Sequence, residues 1–523
     1  MTLTPWERLK TTLRDIHHLK DAAAVLSWDQ ETYMPPGASH ARAEHLATLQ
    51  TVAHRQFVSP EMEELLATWL DPETGQLSRE AAHTLDAPAQ ALLRETWRDF
   101  HRAKKLPSSF VTRLEREVSL AQHVWAEAKR TNDFPLFLPH LRTLIALKLE
   151  EAAYLGYRDS PYDALLDTYE PGMTEAEVSR LFAALRPPLM TLLEQVLASP
   201  VRPDPSIIVG PFEASKQLAF GRMVLECMGY DFRCGRLDLS AHPFTTSFHP
   251  TDVRVTTRVD EHDLFSCLFG CIHEGGHALY DQGLPVEHYG TPLAEPISLG
   301  IHESQSRLWE NCVGRSRPFW RHFYPRLQTY FPDQLKAVSL DEFYAVMNRV
   351  CPSLIRVEAD ELTYNLHIML RFELERDLLK GEIPVEELPA VWNQKMDDYL
   401  GIRPQKDSEG VLQDVHWSMG AFGYFPTYTL GNLYAAMLYE QACREIPDWN
   451  EHVVHGDLLP LKAWLNRHVH RWGRQYPAHD LIQRITGQSP TPGPFLRYLT
   501  KKFGDLYGIP IPSEFSQESS IPA

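Results

Sequence analysis

Apolar residues at Leu264, Phe265, Leu268, Phe269, Ile272 and Leu279 recur at helical spacing around the run His273-Glu274-Gly275-Gly276-His277. A segment of that pattern folds as a largely buried helix, predicted here over His262 to Asp281. Burial constrains the rest of the chain, because two imidazoles and a carboxylate taken out of water need partners. Residues four apart stack on one helix face, so His273 and His277 can grip one ion together. Glu274 lies about 100° further round, beside that ion without binding it. Gly275 and Gly276 each cost a helix interior about 1 kcal/mol relative to Ala. Their presence predicts that something approaches the backbone closely.

Two imidazoles and one carboxylate leave a tetrahedral zinc ion with one open position, which is what hydrolytic chemistry needs. The leading third ligand is Glu303, within His302-Glu303-Ser304-Gln305; Glu295, Glu310 and the neighbouring His302 are the alternatives. A second helix over Ile301 to Cys312, following a loop with Pro292, Pro296 and Gly300, would bring Glu303 to the ion if it packs on the first. The opposing reading is a pair of helical histidines capping an apolar face beside a solvated acid. It conflicts with the apolar flanks.

Most of the remaining sequence reads as helices with short, Pro-marked connections. Helical spacing is predicted over Thr4 to Lys20, Ala41 to Thr51, Arg79 to Arg130, Thr174 to Ala198, Ser215 to Met228, Ala359 to Lys380, Thr427 to Ile446 and Pro494 to Phe503. Two stretches alternate like strands instead: Arg236 to Ser240 and Val253 to Val259. In the second, Val253, Val255, Thr257 and Val259 share one face, and Asp252, Arg254, Thr256 and Arg258 the other. A small sheet just before the motif helix would form one wall of a cleft floored by the metal. The Pro-containing tail after Ile509 is the segment expected to fray.

The charge balance is acidic, with 51 Lys and Arg against 69 Asp and Glu and a net charge of -18. That disfavours nucleic-acid and anionic-membrane partners, which need basic surfaces. No run of eighteen apolar residues stands out as a membrane span. Met1 to Lys10 carries Glu7, Arg8 and Lys10 and lacks the apolar core of a signal peptide. Seven Cys, an odd number, fit a reducing cytoplasm. Cys267 and Cys271 lie well round the helix from the two histidines and read as core thiols.

Several separated elements resemble the carboxypeptidase Taq family of metallocarboxypeptidases. They are Trp28-Asp29-Gln30-Glu31-Thr32-Tyr33-Met34-Pro35, His242-Pro243-Phe244, Asp252-Val253-Arg254-Val255-Thr256, the run His273 to His277, His302 to Gln305, Ile355-Arg356-Val357-Glu358-Ala359-Asp360, and Gly410 with Gln413-Asp414 and His416-Trp417. They stand in the family's order across most of the chain. The resemblance implies a mainly α, elongated peptidase fold with a deep central groove, like that of the neurolysin and angiotensin-converting peptidases, and a small β-sheet beside the metal. Residues 1–523 are expected to form one catalytic domain, with two helical lobes flanking the groove as a further expectation. The resemblance also implies release of single C-terminal residues from peptides with broad side-chain tolerance, zinc with cobalt as a substitute, and a homodimer.

Chemistry then assigns expected roles. Glu274 is the base acting on a metal-bound water. Tyr424 and then Tyr428, in the stretch Gly420 to Tyr428, are the candidates to share the developing oxyanion charge, and His416 is the alternative. A free C-terminal carboxylate calls for an arginine fork, with Arg356 leading and Arg254 next. His242, Gln413 and Tyr428 complete the expected substrate-binding set. The bland alternatives are aromatic core packing for the tyrosines, a buried satisfied ring for His416, an Arg356–Asp360 surface pair and an Arg254–Asp252 strand pair. Two other functions share these features: an oligoendopeptidase or dipeptidyl carboxypeptidase on a related groove, and a scaffold that binds peptides without cutting them.

Overall fold

The structure, a computed structural model, describes residues 3–511. It is mainly helical with one small sheet. The N-terminal helix, Pro5–Thr32, starts at a capping box in which Thr4 and Glu7 satisfy each other's backbone donors. It runs twelve residues beyond the predicted end at Lys20, so the Trp28-Asp29-Gln30-Glu31 element lies on its last turns. A second helix, Ser39–Phe57, folds back against it. The residues around Leu9, Leu13, Ile16, Met62, Leu66, Leu92 and Phe100 form a small core cluster of their own. A much larger cluster fills the remainder of the protein.

The predicted stretch Arg79 to Arg130 is three helices, Arg79–Thr84, Ala87–Lys105 and Ser108–Thr131. Pro88 stands in the first turn of the second and Pro107 is the N-cap of the third, places where a missing N–H costs nothing. Glu175–Ala198 is the one described helix long and apolar enough to span a bilayer by length and composition. Its Leu181, Leu185, Leu189 and Leu193 are buried in the core, where such apolarity is spent on packing. The predicted helix from Ala359 begins only at Tyr364. The Asp360 carboxylate accepts from the backbone of Cys351, Leu362 and Thr363 and holds the preceding residues in a turn. Most of the tail expected to fray after Ile509, residues 512–523, lies outside the described part.

The sheet has three strands: β1 (Gly235–Leu239), β2 (Thr245–His249) and β3 (Asp252–Thr257). Their order is β1-β3-β2, with β1 parallel and β2 antiparallel to β3. Val253, Val255 and Thr257, the face the alternation put together, are fully buried, but so is Thr256 from the opposite face. β2 was not legible as a strand: Thr-Thr-Ser-Phe-His does not alternate, and pairing with β3 makes it one. The motif helix, Leu264–Gln282, follows at once, capped by Asp263 on the N–H groups of Phe265 and Ser266.

Candidate metal centre and cleft

The second helix of the site, Leu299–Arg307, packs directly on the motif helix. A Cβ at position 276 would sit 2.7 Å from the Gln305 carbonyl oxygen and the Ser306 Cα, so the close approach expected from the glycines is that of a neighbouring backbone. A third helix, Pro426–Glu445, closes from the other side. There a Cβ at Gly431 would come within 2.6 Å of Glu303 Cγ. Two glycines thus let three helices press Glu303 against the histidines.

His273 Nε2 and His277 Nε2 lie 3.7 and 3.5 Å from the same oxygen, Glu303 Oε2. Those separations exceed a hydrogen bond. They approach the roughly 3.3 Å between neighbouring ligand atoms placed about 2.0 Å from one tetrahedral ion. One atom from each residue lies within 4.8 Å of the others. The donor set and its spacing therefore fit a divalent metal.

The surroundings prepare these groups. His273 Nδ1 is 2.9 Å from Glu310 Oε2, the carboxylate–histidine contact that aims a ring at a metal. Glu310 stands where the helix widens into a π-helical turn, Leu308–Val313, that continues Leu299–Arg307. An alternative third ligand by sequence, it lies instead against Nδ1 of His273, on the side of the ring away from Glu303 Oε2. Arg307 donates to Glu303 Oε1 at 2.7 Å and to Glu310 at 3.2 Å. Burial raises the Glu303 carboxyl, yet Arg307 and His273 outweigh it and hold it well below the ordinary range. Burial and the neighbouring His302 push His277 down to about 3, leaving the ring neutral with a lone pair to offer. His302 stacks on His277 at 4.4 Å and is tied to Asp281 at 3.1 Å, so it braces the site rather than replacing Glu303. Glu295, the other alternative, is paired with Arg474.

Glu274 is buried, and Thr245 Oγ1 donates to both its Oε2 and its backbone carbonyl at 2.8 Å. Burial pushes its carboxyl above the ordinary value. Thr245 was not singled out from sequence; its place next to the H-P-F element was the available signal. A cavity of about 340 Å³ opens over these groups, lined by Pro243, Phe244, Thr245, His273, Glu274, His277, Leu299, His302, Glu303, Tyr424, Thr427 and Tyr428. The tyrosines named from sequence are thus in its wall. His416 stands behind them, with Nε2 3.2 Å from the Tyr428 hydroxyl and a ring that burial pushes down to about 3.

The expected substrate-binding residues are more scattered. Arg356 is buried and pairs not with Asp360 but with Asp414, at 3.0 Å from Nε and 2.8 Å from Nη2, while Nη1 donates to the Tyr364 hydroxyl. Arg371, missed from sequence, holds the other Asp414 oxygen at 2.7 Å. Two guanidiniums share one carboxylate, leaving a buried positive charge over, and the Arg356 carbon lies 5.0 Å from the Tyr428 ring centre. Arg254 pairs with Asp252, stacks 4.3 Å from the centre of Trp28 and is not among the residues lining the cavity. Gln413 is spent on backbone: Nε2 donates to Leu354 and Glu409, and Oε1 accepts from Arg356 N–H. His242 is exposed, outside the cavity wall that its neighbours Pro243 and Phe244 form.

Residues 8–503 match the model of the carboxypeptidase Taq (M32) metallopeptidases. The chain is 42% identical to thermostable carboxypeptidase 1 of Thermus thermophilus, over 96% of this chain and 99% of that one. It is 41% identical to carboxypeptidase 1 of Bacillus subtilis, over 95% and 97%. Among solved structures, the M32 carboxypeptidase of Deinococcus radiodurans superposes with a TM-score of 0.93 at 39% identity, covering 97% of this chain and 100% of that one. Trypanosoma cruzi metallocarboxypeptidase 1 does so at 0.89 and 38%, covering 95% and 99%.

Proposed function

The chain belongs to the carboxypeptidase Taq (M32) family and is a metallocarboxypeptidase; from that premise we propose how its own residues perform the reaction. His273, His277 and Glu303 hold the metal, which we take to be zinc, with cobalt able to replace it. Two neutral imidazoles and one carboxylate suit such an ion. When bound, the ion supplies Lewis-acid polarisation and a water acidic enough to ionise near neutral pH. The observation that carries this reading is the convergence of three ligand atoms within 4.8 Å beside an open cavity.

Glu274, fixed through one oxygen by Thr245, takes the proton of the attacking water and delivers it to the leaving amine. The Tyr424 hydroxyl in the cavity wall donates to the oxyanion as it develops. His416, neutral, positions the Tyr428 hydroxyl. The C-terminal carboxylate of the peptide faces the tyrosine wall, drawn by the positive charge that Arg356, Arg371 and Asp414 leave over. Apolar Pro243, Phe244 and Leu299 support broad tolerance for the residue released. We further propose a cytoplasmic homodimer, on the family resemblance and the seven free thiols; light scattering that returns the mass of one chain would remove the dimer.

A peptide ladder read by mass spectrometry tests the whole. Free peptides should shorten one residue at a time and stop when a chelator is added. Amidated peptides should be cut at least about tenfold more slowly, since a charge-assisted hydrogen bond contributes about 1.5–3 kcal/mol. Loss of residue pairs, or equal cutting of amidated peptides, would overturn the assignment.

A further inference from the structure

Glu375, on the helix Tyr364–Leu379, is wholly buried, and the chemistry above does not use it. Its contacts run to the turn that leads into Tyr424. Oε1 accepts from Trp417 Nε1 at 3.0 Å, and Oε2 from the Gly423 N–H at 3.1 Å. Oε2 also accepts at 2.8 Å from the hydroxyl of Tyr162, on the short helix Pro161–Leu166. One carboxylate thus clamps both ends of the turn 417–423 and ties it to a third segment. The turn needs a clamp, because Gly420 and Gly423 take positive φ, 67° and 86°, and such glycines give a backbone little stiffness of its own. On its far side the turn lies against the same short helix: a Cβ at Gly423 would come 2.8 Å from the Leu166 nitrogen. The Tyr424 ring packs edge-on against Tyr169, 5.1 Å between centres.

Stability does not account for this acid. The groups that donate to it are neutral, and burial pushes its carboxyl up to about 7. A carboxylate taken out of water without a cation on it opposes folding, and an apolar side chain would fill the same space without that penalty. We propose that Glu375 is a positioning residue for Tyr424, holding the 417–423 turn so that the Tyr424 hydroxyl stays in the cavity wall where oxyanion charge develops. It touches no substrate and acts through the turn. The role rests on Tyr424 being the oxyanion donor proposed above.

The test is a double-mutant cycle on kcat with free peptides. Tyr424→Phe alone should lower kcat about a hundredfold, the lower end for loss of one oxyanion donor. Glu375→Gln nearly keeps the shape but sets an N–H against a donor, either Trp417 Nε1 or the Gly423 N–H. It should lower kcat about tenfold through misplacement of the hydroxyl, with KM within about twofold and metal content unchanged. In the Tyr424→Phe background the same change should cost less than about twofold, because the group it positions is gone. Should Glu375→Gln fail to fold, Trp417→Phe, which removes the N–H on Oε1, carries the same cycle and the same expectation. A loss of equal size in both backgrounds, or Glu375→Gln at the wild-type kcat, overturns the positioning role. Tyr424→Phe at the wild-type kcat overturns the reading of Tyr424 and the role of Glu375 with it; single-residue release by that variant leaves the carboxypeptidase assignment standing.

Discussion

Glu274→Gln is expected to slow peptide hydrolysis by about a hundred- to ten-thousand-fold, the range for losing a positioned acid–base group, while metal content stays at the wild-type level. The amide has nearly the shape of the carboxylate and keeps an oxygen to accept from Thr245 Oγ1, which now donates to Oε2 at 2.8 Å. What it loses is the capacity to take a proton. The three ligand side chains are untouched, so metal bound per chain, measured by elemental analysis, separates a lost base from a lost ion. A variant within about tenfold of wild type, fully metallated, would remove Glu274 from the proposed role.

Asp414→Ala is the stability counterpart. Asp414 lies between Arg356 and Arg371 and is the carboxylate both guanidiniums share. Removing it leaves two buried cations side by side, and breaking a buried pair costs about 3–5 kcal/mol. Thermal unfolding at pH 7 should show a large drop in midpoint. Acidification should narrow the gap, and the sign follows from the folded-state shift. Burial opposes ionisation of Asp414, but Arg371 and Arg356 outweigh it and hold its carboxyl far below the ordinary value. Its contribution is therefore fully present above the unfolded value of about 3.9 and fades as pH falls toward the folded one. Wild type and variant should converge only well below pH 4. A variant as stable as wild type at pH 7 would mean that the pair adds nothing to folding.

The metal centre was the part most legible in the sequence, because its geometry is local. His273, Glu274 and His277 lie within one and a half helical turns, and helical spacing alone puts them on adjacent faces. Glu303 needed the second helix; the glycines foretold a close approach without saying of what, and of the two only Gly276 faces that helix, while Gly275 faces Leu225. What stayed hidden depends on contacts between distant segments. Glu310 reached His273 Nδ1 from the π-helical turn, where the ordinary 3.6-residue phase no longer places side chains. Arg356 sat near Asp360 in sequence and was weighed against it. It pairs with Asp414, 58 residues on, because Asp360 is occupied in capping a turn. Asp414 stands beside Gln413 in the same element, and the spacing does not tell which of the two meets the arginine; the fold spends Gln413 on backbone groups. β2 was missed because a strand can owe its existence to its neighbour rather than to its own pattern.

A crystal of the metal-loaded protein, with anomalous diffraction recorded on both sides of the zinc edge, addresses the central assignment directly. The expected result is a single strong peak about 2.0–2.2 Å from His273 Nε2, His277 Nε2 and a Glu303 carboxylate oxygen, the distances zinc takes from such ligands. A peak elsewhere, or no peak in crystals whose dissolved protein still releases C-terminal residues, would contradict it.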